Sequence, residues 1–148
     1  MQYFNLCRIL VSYVRSYCKE YRMTRVLVVD DDNNVRRFFR CLLERAHYEV
    51  MEADDGDVAL RVLKKSLPDV VITDVLMPNR EGLELIQDIK SHYPHIKVIA
   101  LSGGGVLDIR YCLAFADGFG ADRVFAKPVK PQQLLGSLKE LLTAAQVA

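Results

Sequence analysis

The sequence predicts an α/β fold in which a five-stranded parallel sheet is covered by helices on both faces. Three observations carry this. From Arg25 onward, short apolar runs rich in β-branched residues alternate with stretches whose apolar residues recur at helical spacing. The first, third and fourth apolar runs are continuous, which is the pattern of strands buried on both faces. Finally, the first, third, fourth and fifth runs lead directly into Asp30, Asp74, Ser102 and Lys127.

Taken in order, Val26 to Val29 is the first strand, ending in the acids Asp30, Asp31 and Asp32. Val35, Phe38, Phe39, Leu42 and Leu43 then recur at helical spacing, with Asn33 or Asn34 as the cap and both phenylalanines assigned to the core. Tyr48 to Ala53 is the second strand. Val58, Ala59, Val62 and Leu63 mark a second helix that ends before Pro68. Val70 to Thr73 is the third strand. A loop containing Pro78 and Gly82 leads into a helix with Leu83, Ile86 and Ile89, stopped at Pro94. Val98 to Leu101 is the fourth strand. Gly103, Gly104 and Gly105 open a flexible connection to a helix from about Leu107 to Phe119, terminated by Gly120. Arg123 to Ala126 is the fifth strand. After Lys127 and Pro128, a last helix carries Leu134, Leu135, Leu138, Leu141 and Leu142 on one side. Only a short tail follows, so no output module and no nucleic-acid reader is expected on this chain.

Composition narrows the function classes. A chain of 148 residues suits one domain, and half of it is apolar, enough for a real core. The net charge of +1 gives no argument for nucleic acid or an anionic membrane as partner. Charge is uneven: Arg8, Arg15, Lys19 and Arg22 against Glu20 give residues 1–22 a net of +3, leaving −2 elsewhere. Cys7, Cys18, Cys41 and Cys112 form no C-x-x-C pair and have no histidine at zinc-ligand spacing, so reduced, mostly buried thiols and a cytoplasmic location are expected. The apolar stretch Leu6 to Val14 is too short and too charged to span a bilayer.

On a parallel sheet the carboxyl ends of the strands share one rim, and ligands bind there at the topological switch point. Crowded carboxylates repel one another, and a divalent cation relieves the repulsion. Oxygen donors of this kind suit Mg²⁺, with Mn²⁺ as the alternative ion. A lysine adds a second positive charge, a serine hydroxyl can donate to a phosphoryl oxygen, and one carboxylate left free can attack phosphorus. The residue types therefore suit phosphoryl transfer onto an aspartate.

Four stretches, in this order and spacing, resemble the receiver domains of two-component response regulators. They are Val26 to Asp32 (VLVVDDD), Asp69 to Asn79 (DVVITDVLMPN) with Gly82, Val98 to Ser102 (VIALS) and Val124 to Pro128 (VFAKP). The resemblance covers roughly Thr24 to Thr143. It implies a flavodoxin-like, doubly wound (βα)5 fold with strand order 2-1-3-4-5. It also implies a role for each residue: Asp74 as phospho-acceptor, Asp30 and Asp31 as the metal-binding acid pair, the backbone carbonyl of Leu76 as a further metal ligand, Ser102 as the switch hydroxyl and Lys127 as the site lysine. Pro128 would form a cis peptide with Lys127. The implied partners are a sensor histidine kinase or phosphotransfer protein and an output protein, with no membrane span and no nucleic acid on this chain. Two departures stand out. Val124 occupies a position that is often Tyr or Phe in the family, and Gly103 stands where many members carry Ala.

Two other readings have sequence support. Asp30-x-Asp32 resembles the nucleophile and acid pair of haloacid-dehalogenase-like phosphatases, although Asn34 and the absence of a later acid pair depart from that pattern. A degenerate receiver acting as a scaffold is the second. In residues 1–22, Phe4, Cys7, Val11, Val14, Cys18 and Tyr21 lie on one face of a helix, which reads either as a dimer or docking seam or as a mis-assigned start before a receiver domain of 23–148.

Overall fold

The computed structural model describes residues 23–77, 82–103, 114 and 117–147. The seam expected in residues 1–22, the loop residues Pro78 and Asn79, Gly104 and Gly105, and most of the helix expected from Leu107 to Phe119 lie outside the described residues.

Five strands are described: β1 (Arg25–Val29), β2 (Glu49–Ala53), β3 (Val70–Asp74), β4 (Lys97–Ser102) and β5 (Arg123–Ala126). Four helices are described: α1 (Asn33–Arg45), α2 (Gly56–Lys65), α3 (Gly82–His92) and α4 (Pro131–Val147). The strands pair in parallel in the order β2-β1-β3-β4-β5. This is the expected flavodoxin-like arrangement.

Strand residues alternate between two cores. Val26, Val28, Val70, Ile72, Ile99 and Leu101 face α1 and α4, against Phe39, Leu43, Leu134, Leu138 and Leu141. Leu27, Val29, Val71, Val98 and Ala100 face α2 and α3, against Ala59, Leu63, Leu85, Ile86 and Ile89. The continuous apolar runs are explained by this double burial, since every side chain of β1 after Arg25 and all of β3 is buried. Each fully buried Leu or Ile contributes about 1.5–3 kcal/mol.

The helix ends correct the sequence reading in places. Asp32, rather than Asn33 or Asn34, caps α1 and accepts from the Asn34 N–H at 2.8 Å. It holds the extended backbone of a cap, and its carboxylate also complements the helix dipole. At the other end His47 takes φ +64°, with His47 N–H donating to Glu44 O and Tyr48 N–H to Leu43 O, a Schellman closure that more often uses glycine. Phe38, expected in the core, is 50% exposed, while Phe39 is buried. A helix offers only one of two adjacent positions the full inward direction. Gly82, expected in a loop, is the first residue of α3.

Candidate functional site

The chain leaves β1 to one side, builds β2, and crosses back to place β3 on the other side of β1. The rim between β1 and β3 is therefore the switch point. Register fixes what meets there. The β1–β3 pairing ends at Val29 with Thr73, so Asp30 and Asp74 follow it side by side. Ser102 pairs with Ala126, one residue before Lys127. Asp30, Asp74, Ser102 and Lys127 are thus brought to one rim by four neighbouring strands.

Their side chains converge. Lys127 Nζ donates to Asp30 Oδ2 at 2.6 Å and to Asp74 Oδ2 at 2.5 Å. Asp30 Oδ1 accepts from the Asp32 N–H at 2.9 Å, and Asp74 Oδ1 from the Leu76 N–H at 3.0 Å. Asp30 and Asp74 are buried, whereas Asp31 is exposed. Burial holds the Asp30 carboxyl above the usual carboxylate range, and the nearby negative charge of Asp74 adds to that, with Lys127 and the Asp32 N–H only partly offsetting it. Burial also pulls the Lys127 ammonium downward, but its hydrogen bonds to Asp30 and Asp74 and their charges outweigh this and place it above the ordinary lysine value. Lys127 is joined to Pro128 by a cis peptide, and its N–H donates to Ser102 O at 2.7 Å.

The donor set suits a small hard cation. One oxygen each from Asp30, Asp31 and Asp74 lies within 4.8 Å of the others. Ligands on a Mg²⁺ sphere stand roughly 3–4 Å apart, so small side-chain rotations close the set. Three carboxylates face one ammonium here, an excess of negative charge that a divalent ion would balance. Leu76, expected to add its carbonyl, stands beside the acceptor, its N–H on Asp74 Oδ1. Ser102 Oγ is buried and, among the described residues, has no hydrogen-bond partner, which is costly for a hydroxyl unless a ligand oxygen completes it.

Three further features shape the site. Gly82 lies so close to the acceptor strand that a Cβ there would sit 1.8 Å from Asp74 O. Only glycine permits the approach, and Gly82 N–H donates to Val75 O at 3.0 Å. At Gly103, by contrast, a Cβ would meet only Lys127 Cδ, at 3.9 Å. A groove of about 540 Å³ lined by Val35, Phe38, Phe39, Pro128 and Val129 opens beside Lys127.

Sequence patterning did not single out Arg36, which reads as part of the polar face of α1. Its Nη1 donates to Asp30 O at 2.7 Å and Asp31 O at 3.2 Å, and its Nη2 to Asn33 Oδ1 at 3.3 Å. The available signal was a cation close to a helix N-terminus, where the dipole disfavours it. Asp32 is taken up by capping α1, which removes it from the acid role that the phosphatase reading assigns to it.

Comparisons agree with this geometry. The model of the response regulator receiver domain matches residues 26–139. Alkaline phosphatase synthesis transcriptional regulatory protein PhoP of Bacillus subtilis (strain 168) is 27% identical over 124 residues, which are 84% of this chain and 50% of that protein. Response regulator MprA of Mycobacterium sp. (strain KMS) is 36% identical over 118 residues, 80% of this chain and 50% of that one. The chain spans about half the length of these curated relatives. The receiver domain protein of Clostridium thermocellum superposes with a TM-score of 0.78 at 30% identity, covering 84% of this chain and 98% of that one. Chemotaxis protein CheY4 of Vibrio cholerae gives 0.71 at 31% identity, covering 81% and 99%. With the strand order, the rim residues and the family model in agreement, this chain belongs to the response-regulator receiver family.

Proposed function

We propose that this receiver accepts a phosphoryl group on Asp74 from the phosphohistidine of a sensor histidine kinase or phosphotransfer protein, and that the resulting charge switches its affinity for an output protein. The observation that carries this reading is the Lys127 ammonium bridging Asp30 and Asp74 beside the buried, unpartnered Ser102 hydroxyl. Asp30, Asp31, Asp74 and the Leu76 carbonyl would hold Mg²⁺ or Mn²⁺. When bound, that ion supplies positive charge against the phosphoryl oxygens.

In the transfer a carboxylate oxygen of Asp74 attacks phosphorus. The P–N bond to the donor imidazole breaks, its electron pair returns to nitrogen, and that nitrogen takes up a proton. Lys127 is placed to turn from the Asp74 carboxylate to a phosphoryl oxygen, and Ser102 to donate its hydroxyl to another. Water attack on the acyl phosphate would later release inorganic phosphate and restore Asp74. The groove beside Lys127, with the exposed Phe38 on its wall, offers a donor protein an apolar contact next to the acceptor.

The added charge draws Ser102 and Gly103 inward, and the surface around β5 and α4 responds. Val124 is half-buried against the core and has no aromatic ring to swing, so backbone and loop movement carry the change. This is a switch and not a catalyst turning over an external substrate. A cytoplasmic location goes with these partners, and among the described residues no helix is long and apolar enough to cross a membrane.

The test is phosphoryl transfer from radiolabelled acetyl phosphate with Mg²⁺. The wild type should label at one aspartate, with no labelling when EDTA replaces Mg²⁺ from the start and none in Asp74→Asn. Substantial label on Asp74→Asn would refute the assignment.

A further inference from the structure

We infer that Arg36 is a positioning residue for the divalent cation: it fixes the backbone of the acid pair and thereby sets metal affinity, without touching the carboxylates themselves. The inference rests on the metal-assisted reading above and deepens it.

The β1 ladder ends with the Asp30 N–H donating to Ala53 O at 3.2 Å, and beyond it the carbonyls of Asp30 and Asp31 have no strand partner among the described residues. The same short connection must turn into α1, whose cap is Asp32. Two acids that coordinate one ion need their Cα positions held, because a carboxylate on a loose turn loses affinity through the entropy of ordering it. Arg36 supplies the constraint. It projects from α1 back over the turn, and its guanidinium takes the Asp30 carbonyl at 2.7 Å, the Asp31 carbonyl at 3.2 Å and the Asn33 side-chain oxygen at 3.3 Å. The planar fork can reach several acceptors at once, which an ammonium cannot do in the same geometry.

The division of labour is clear in the contacts. Lys127 binds the carboxylates of Asp30 and Asp74, and Arg36 binds only backbone and amide oxygens of the turn. The acid oxygens needed by a cation are therefore not consumed by Arg36. Its guanidinium lies over a turn of three consecutive acids, Asp30, Asp31 and the cap Asp32, whose charge offsets the helix dipole that would otherwise disfavour it.

The test is a calorimetric titration of the unphosphorylated full chain with MgCl2, alongside acetyl phosphate labelling across Mg²⁺ concentrations. Arg36→Gln should raise the Mg²⁺ dissociation constant about fivefold or more, and Arg36→Lys, which reaches fewer acceptors, should fall between it and the wild type. The Mg²⁺ concentration needed for half-maximal labelling should rise in parallel, while the labelling rate at saturating Mg²⁺ stays within about twofold. Wild-type Mg²⁺ affinity in either variant, folded by circular dichroism, would overturn the inference. So would a loss of rate that saturating Mg²⁺ does not recover. If Arg36→Gln does not fold, the Lys variant decides alone. A wild type that binds no Mg²⁺ would instead overturn the metal-assisted reading itself, so the two failures are distinguishable.

Discussion

Two glycines of the site meet opposite steric demands. At Gly82 a Cβ would overlap Asp74 O at 1.8 Å and approach Val75 Cα at 2.9 Å, both backbone atoms that cannot rotate away. Gly82→Ala must therefore push α3 off the acceptor loop, at a cost of about 3 kcal/mol, with a parallel fall in Asp74 labelling. Gly103→Ala meets only a lysine methylene at 3.9 Å and should change stability by less than about 0.5 kcal/mol. Urea unfolding of both variants checks this, and equal losses would contradict it. At this scale the sequence was legible where topology dictates position. Asp30, Asp74, Ser102 and Lys127 terminate strands, and a parallel sheet gathers strand ends. It was not legible among adjacent like residues. Nothing in three consecutive acids distinguishes Asp32 the cap from Asp31 beside the site, because the difference lies in backbone angles. Phe38 and Phe39 pose the same problem on a helix.

The elements are tied together at the opposite edge of the sheet by one carboxylate. Asp122, just before β5, accepts from Lys90 Nζ of α3 at 2.5 Å and from Val98 N–H of β4 at 2.8 Å, with Lys97 Nζ at 3.5 Å. Burial alone would raise its pKa, but the hydrogen bonds from Lys90 and Val98 and the charges of Lys90 and Lys97 carry it below the ordinary value. A carboxylate depressed on folding contributes stability that is fully present above its unfolded pKa of about 3.9, and that contribution is lost as pH falls through the lower folded value. Asp122→Asn should accordingly cost about 1–3 kcal/mol at pH 7, and the gap to the wild type should narrow below about pH 4. Denaturant unfolding at pH 7, 4.5 and 3 measures it, and a gap independent of pH would argue against this role. Strand and helix order was readable from periodicity, yet this hub was not. Its partners lie 24 to 32 positions away in sequence, and only the folded register brings them together.

For the whole molecule, fold and site are linked through the charge left at the switch point. Asp30 and Asp74 share one ammonium, and Asp31 stands exposed beside them. Unfolding parts Asp74 from the adjacent pair Asp30 and Asp31, which leaves the unfolded chain no cation site of comparable affinity. A divalent ion that binds only the folded state must then stabilise it, by RT ln(1 + [L]/Kd). At ten times its dissociation constant, Mg²⁺ should add about 1.4 kcal/mol, a rise of roughly 4–6 °C in Tm for a domain of this size. Removing the ion with EDTA should reverse the rise. Asp30→Asn should abolish it, because the buried member of the acid pair is gone. Differential scanning fluorimetry across a Mg²⁺ series reads the outcome directly. A wild-type Tm that ignores Mg²⁺, or an equal rise in Asp30→Asn, would mean that the acids at the rim do not act together as a cation site, however closely their oxygens lie.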